Sequence, residues 1–148
     1  MPDAEPLVLF RHSPSRSRRR ILDSFAQELR THVTRGREFR CLLTNNEELQ
    51  RLNRQFLGKN YPTDVLSFPA QEGSAELGEL AISGPRAAAQ AREFGHSVDD
   101  EIRILMLHGV LHLMGMDHER DRGAMARAEM AWRKKLGLPA GLIERVSA

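Results

Sequence analysis

Cysteine occurs once in the 148 residues, at Cys41, so no internal disulfide staples the chain. Its fold must rest on its own core, and a lone thiol suits a reducing compartment. Aromatics are scarce at 5%, with one Trp and one Tyr, which leaves the interior to aliphatic side chains and Met. No apolar run approaches the about 18 residues that a membrane-spanning helix needs. The opening Met-Pro-Asp-Ala-Glu-Pro has no basic stretch followed by an apolar one, so no signal peptide is expected and the cytoplasm is the expected compartment. No repeat, low-complexity tract or linker divides the chain, and 148 residues suffice to bury a real core. A single domain over 1–148 is the expectation.

The net charge of +2 hides an asymmetry. Residues 1–60 hold twelve Lys/Arg against seven Asp/Glu, a net +5, whereas residues 61–148 come to −3. A basic half suits a polyanion-facing surface, and it equally suits an ordinary solvated one.

Apolar patterning divides the chain into nine elements. Leu7–Phe10 reads as a first strand, and Ser13–Arg20 opens a helix whose apolar face is Ile21, Leu22, Phe25 and Leu29. Phe39–Thr44 is a second strand, and Asn45 or Asn46 caps a helix that carries Leu49, Leu52 and Phe56 and stops near Gly58. Asn53, inside that helix, needs hydrogen-bond partners if buried. Tyr61-Pro-Thr-Asp64 is turn chemistry, Val65–Pro69 a short strand and Leu77–Ser83 a fourth. After a Gly-Pro break come an Ala-rich helix over 86–94, a helix over 98–114 opened by Ser97, and an amphipathic helix from Arg122 to Leu136 with Met125, Met130 and Trp132 on its core side. The order predicts an α+β domain, a small mixed sheet packed with about five helices.

The most informative stretch is His108-Gly-Val-Leu-His112-Leu-Met-Gly115-Met-Asp117-His118, which holds three of the six histidines. His108 and His112, four apart on a helix, share one face at a separation of roughly 5–6 Å. Gly115 stands where a left-handed cap would end the helix, and the reversed chain can carry His118 back to the same point. Three imidazoles fill all but one position of a tetrahedral Zn²⁺, the arrangement of a catalytic site. The flanking helix is so apolar that its histidines need a partner inside the protein, and a metal provides one. The spacing is that of metzincin proteases, but their Glu after the first His is here Gly109, which cannot move a proton. That is poor equipment for cleaving a peptide.

This segment resembles the signature of the YbeY family of bacterial endoribonucleases. The resemblance extends to Leu52-Asn53, Gly58-Lys59, Tyr61–Pro69, Leu77-Gly78, Ile82-Ser83, Gly95-His96-Ser97, Met125 and Glu129, and covers most of residues 40–136. It implies a mixed four-stranded sheet, His108, His112 and His118 as ligands of one Zn²⁺, and a basic groove for RNA beside the metal. The implied activity is zinc-dependent, single-strand-specific endoribonuclease cleavage in 3′-end maturation of small-subunit (16S) rRNA and in ribosome quality control. Ribosomal proteins or an assembly GTPase are the implied protein partners. Two positions depart from the family pattern. Leu57 stands where the family usually has Arg, and Gly78-Glu79 replaces Gly-Asp.

Within that reading Lys59 is a candidate electrostatic catalyst, and Asp117 a candidate catalytic base or, more in keeping with ligand orientation, a residue that holds a histidine in place. Asp64 and Ser67 are further candidates with turn and strand-edge alternatives. His96 is expected to cap or lie at the surface, as are His12 and His32. The attacking group is either a metal-activated water or the RNA's own 2′-hydroxyl. Two rivals remain: a small metalloprotease, and a ribosome-assembly binding module whose zinc is structural.

Overall fold

A computed structural model of the chain describes residues 6–11, 16–58, 63–117 and 121–143. Along it follow β1 (Val8–Phe10), α1 (Arg16–His32), β2 (Phe39–Thr44), α2 (Asn46–Leu57), β3 (Val65–Pro69), β4 (Gly78–Ser83), α3 (Gly84–Phe94), α4 (Val98–Leu113) and α5 (Ala124–Lys135). The sheet order is β1-β2-β4-β3. β1 pairs parallel with β2 and β2 parallel with β4, while β3 is antiparallel to β4. The domain is therefore α+β with a mixed four-stranded sheet, as the element order predicts.

Strand alternation gives the sheet two unlike faces. Leu80 and Ile82 of β4 point into the main core with Phe39 and Cys41 of β2, whereas Ala81 joins Leu49 and Leu66 in a smaller cluster beneath α2. Helix α4 lies on the main-core face and touches α1, α3, α5, β3 and β4. Hemmed in on so many sides, it has little use for a polar stripe: Ile102, Leu105, Met106, Leu107, Val110 and Leu111 are all at most 2% exposed. None of the helices is long and apolar enough to cross a membrane, among the described residues.

Short polar residues set the helix ends. Asn45 accepts the Glu48 N–H at 2.9 Å, Ser97 accepts that of Asp100 at 3.0 Å, and Gly58 closes α2 in the left-handed conformation. Two helix starts differ from expectation by two residues. Gly84-Pro85 does not break the chain but forms the first turn of α3, because Ser83 caps it and Pro has no N–H to strand there. α5 begins at Ala124 and not at Arg122, since Arg122 and Gly123 both have positive φ and Asp121 accepts the Gly123 and Met125 N–H groups. Met130, expected in the core, is 39% exposed, while Met125 is fully buried. Asn53 is buried, so it does need partners.

Burial pushes the Cys41 thiol up to about 12. The native protein should leave Cys41 unmodified by a disulfide reagent at about pH 8, and the thiol should react fully once guanidinium unfolds the chain. Prompt labelling of the native protein would mean that β2 is not held in the core.

Candidate metal centre

The last two turns of α4 carry His108 and His112, one turn apart. Their ring centroids are 4.8 Å apart with the planes at 73°. Each Nδ1 faces an acceptor: Glu129 Oε2 lies 2.6 Å from that of His108, and the Met116 carbonyl 2.9 Å from that of His112. A carbonyl has no proton to give, so His112 donates from Nδ1, and an ionised Glu129 would draw the same tautomer from His108. The two Nε2 atoms face one another at 3.1 Å. Two ring nitrogens that close need a proton or a metal cation between them. Two nitrogens bound to one zinc ion at ~2.0–2.1 Å and a tetrahedral angle stand roughly 3.3–3.4 Å apart, so the pair fits one ion almost without movement. His108 is buried and His112 half-buried, which puts the pair at the rim of the core.

The chain reverses where the spacing predicts. Gly115 has φ +93°, and Met116 N–H bonds back to the Leu111 carbonyl at 3.1 Å. That reversal is what delivers the Met116 carbonyl to His112. The expected third ligand, His118, lies outside the described residues, as does Lys59. Among the described residues no third His, Cys, Asp or Glu completes a metal-binding group with the pair. Asp117 is half-buried, and its carbonyl accepts the Asp121 N–H at 3.1 Å to begin the turn into α5.

Gly109 has a packing reason. A Cβ there would stand 2.7 Å from Leu80 Cδ2 and 3.3 Å from Val65 Cγ2, so α4 rests directly on the sheet at this point. The position next to the first histidine therefore faces the core, and a proton-carrying carboxylate has no room there. Ser67 reinforces the contact by donating to the Gly109 carbonyl at 3.1 Å. Asp64 accepts Val65 N–H with one oxygen and Gln90 Nε2–H with the other. Both residues thus have structural employment, tying β3 to α4 and α3.

Other candidates fall elsewhere. His96 is not a surface residue: its Nε2 lies 2.6 Å from Glu101 Oε1, and Glu101 is fully buried. His32 is exposed, and His12 lies outside the described residues. Part of the basic excess is neutralised within the fold, where Arg11 and Arg51 both bond Glu48, whose carboxyl is drawn down to about 2 chiefly by the Arg11 hydrogen bond. The residue that helical spacing did not single out for chemistry is Glu129. Its signal was a carboxylate four residues after Met125, on the buried face of an amphipathic helix.

Gly109→Val should destabilise the protein by about 2–3 kcal/mol in urea denaturation, because the added methyls meet Leu80 and Val65 in a filled core. An unchanged midpoint would show that α4 does not rest on the sheet at that residue.

A family model described as Endoribonuclease YbeY matches residues 11–137. The chain is 58% identical over 141 residues to the Endoribonuclease YbeY of Solibacter usitatus, covering 95% of each, and 49% identical over 128 residues to that of Koribacter versatilis, covering 82% of this chain and 84% of the relative. Its fold is similar to the solution structure of TM1509 from Thermotoga maritima, with a TM-score of 0.58 and 26% identity over 84% of this chain and 85% of the other.

Proposed function

Because this chain belongs to the YbeY endoribonuclease family, we propose that it is a zinc-dependent endoribonuclease cutting single-stranded RNA. The substrate in the cell would be small-subunit rRNA, cut in 3′-end maturation and in the removal of defective ribosomes. Ribosomal proteins or an assembly GTPase would be its partners in the cytoplasm. The observation that carries the metal dependence is the facing Nε2 pair at 3.1 Å with both Nδ1 atoms already engaged.

His108, His112 and His118 would hold one Zn²⁺, leaving one position to substrate. Zinc so held supplies Lewis acidity toward a phosphoryl oxygen. The remaining work falls to the chain's own groups. Glu129 and the Met116 carbonyl hold the two rings in the tautomer that presents Nε2. Asp117, next to His118, is suited to orient that third ring. Lys59 directly follows the Gly58 that ends α2, and its ammonium would draw a phosphate towards the site. A single strand leaves its backbone and bases open to such contacts, whereas a duplex does not splay them. The packing at Gly109 removes the proton carrier that metzincin peptidases use, which favours a phosphodiester over a peptide as substrate.

Zinc-loaded protein should cut single-stranded RNA and spare duplexes, and His112→Ala should slow cutting at least about 100-fold. Equal cutting of duplex RNA would contradict the reading. Chelation that unfolds the domain, with RNA bound but never cut by the loaded protein, would support a binding module with structural zinc instead.

Leu57 ends α2 with its side chain 43% exposed. Leu57→Arg, which restores the residue the family pattern usually carries, should change stability by no more than about 0.5 kcal/mol. It should raise the cleavage rate about tenfold by adding a cation near the scissile phosphate. An unchanged rate would show that this end of α2 does not face RNA.

A further inference from the structure

The chain does not leave the fold at the end of α5. At Gly137, which has φ +72°, it turns sharply, with Leu138 N–H bonded to the Arg133 carbonyl at 2.8 Å. Leu138 and Ile143 are then buried in the main core, so the segment after the turn is packed on the domain. It returns to Glu129, two turns back along α5. There Ile143 N–H donates to Glu129 Oε1 at 3.0 Å in a buried setting. The other oxygen, Oε2, is the one that engages His108 Nδ1 at 2.6 Å. Glu129 itself is 1% exposed.

Gly141 closes the space beside that carboxylate. A Cβ on Gly141 would stand 2.1 Å from Glu129 Oε1, 2.7 Å from Cδ and 2.9 Å from Cγ. The returning backbone therefore lies directly against the side chain.

We infer that the C-terminal turn Gly141–Ile143 is a clamp that fixes the tautomer and ring orientation of His108 through Glu129, which makes Glu129 a positioning residue and the turn its support. A buried carboxylate needs partners for its oxygens, and the Ile143 N–H supplies one of them. With one oxygen pinned, the other has a fixed place and the imidazole must meet it there. Hydrogen-bond partners of metal-binding histidines typically set metal affinity by 10–100-fold. The consequence for affinity rests on the metal centre proposed above; the chain of contacts from Ile143 to His108 does not.

Gly141→Ala separates this role from plain packing. The three atoms nearest the added methyl are Oε1, Cδ and Cγ of Glu129, all side chain and none backbone. The carboxylate should yield and leave His108 Nδ1. Glu129→Gln is the second variant, because an amide has one acceptor oxygen for two N–H groups and must disappoint one of them.

The experiment uses the full chain in two states. In the metal-free protein, the His108 Nδ1 proton is followed by nitrogen-15 NMR; with zinc alone as the probe, affinity is read by competition against a chromophoric chelator. Gly141→Ala and Glu129→Gln should both move or broaden the Nδ1 proton signal and lower zinc affinity at least about tenfold, with cooperative unfolding retained. Ala140→Ser, at an exposed neighbour, should leave both readings as in the wild type. A Gly141→Ala protein with the Nδ1 signal in place and wild-type zinc affinity would overturn the clamp. A wild type that binds no zinc, with the Nδ1 signal still shifted by Gly141→Ala, would uphold the clamp and defeat the metal centre.

Discussion

Two imidazole rings hold their Nε2 atoms 3.1 Å apart while both Nδ1 atoms are engaged, and the packing around them is arranged to keep them there. A core that only needed filling would have used leucines in their place. To hold the rings there, three separate elements converge: the end of α4 provides them, the reversal at Gly115 provides the Met116 carbonyl, and α5 provides Glu129.

The fold's larger features serve that placement. α4 is enclosed by three helices and two strands, which gives its C-terminal turns a fixed position in a domain of modest size. Its direct contact with the sheet at Gly109, backed by Ser67, sets the height at which the rings emerge. The same contact removes a carboxylate from the position where metzincins keep one. A helix with the histidine spacing of metzincin peptidases is thereby left without their carboxylate.

Much of this was legible in the sequence, for physical reasons that can be named. The four strands and five helices follow from apolar spacing and from caps such as Asn45, Ser97 and Gly58, whose side chains or φ values act locally. The histidine pair was legible because a separation of four on a helix is a distance. Less legible were effects that depend on packing between distant segments. Gly109 reads as a lost base, and only its contact with Leu80 and Val65 shows why it must be Gly. His96 looked like a cap because nothing in its neighbourhood announces that Glu101 is buried and waiting for it. Glu129 was legible as part of the family resemblance and as a carboxylate on a buried helix face, but its partner was not, since 21 residues separate it from His108. Met130 misled because helical periodicity describes a face without saying how wide the covering element is.

The most direct measurement of the central claim is the X-ray absorption spectrum at the zinc edge of the zinc-loaded full chain. The account predicts three imidazole nitrogens at about 2.0–2.1 Å and one further light atom that exchanges with added ligand. A chain that retains no zinc, or a coordination shell closed by a fourth protein group, would contradict it.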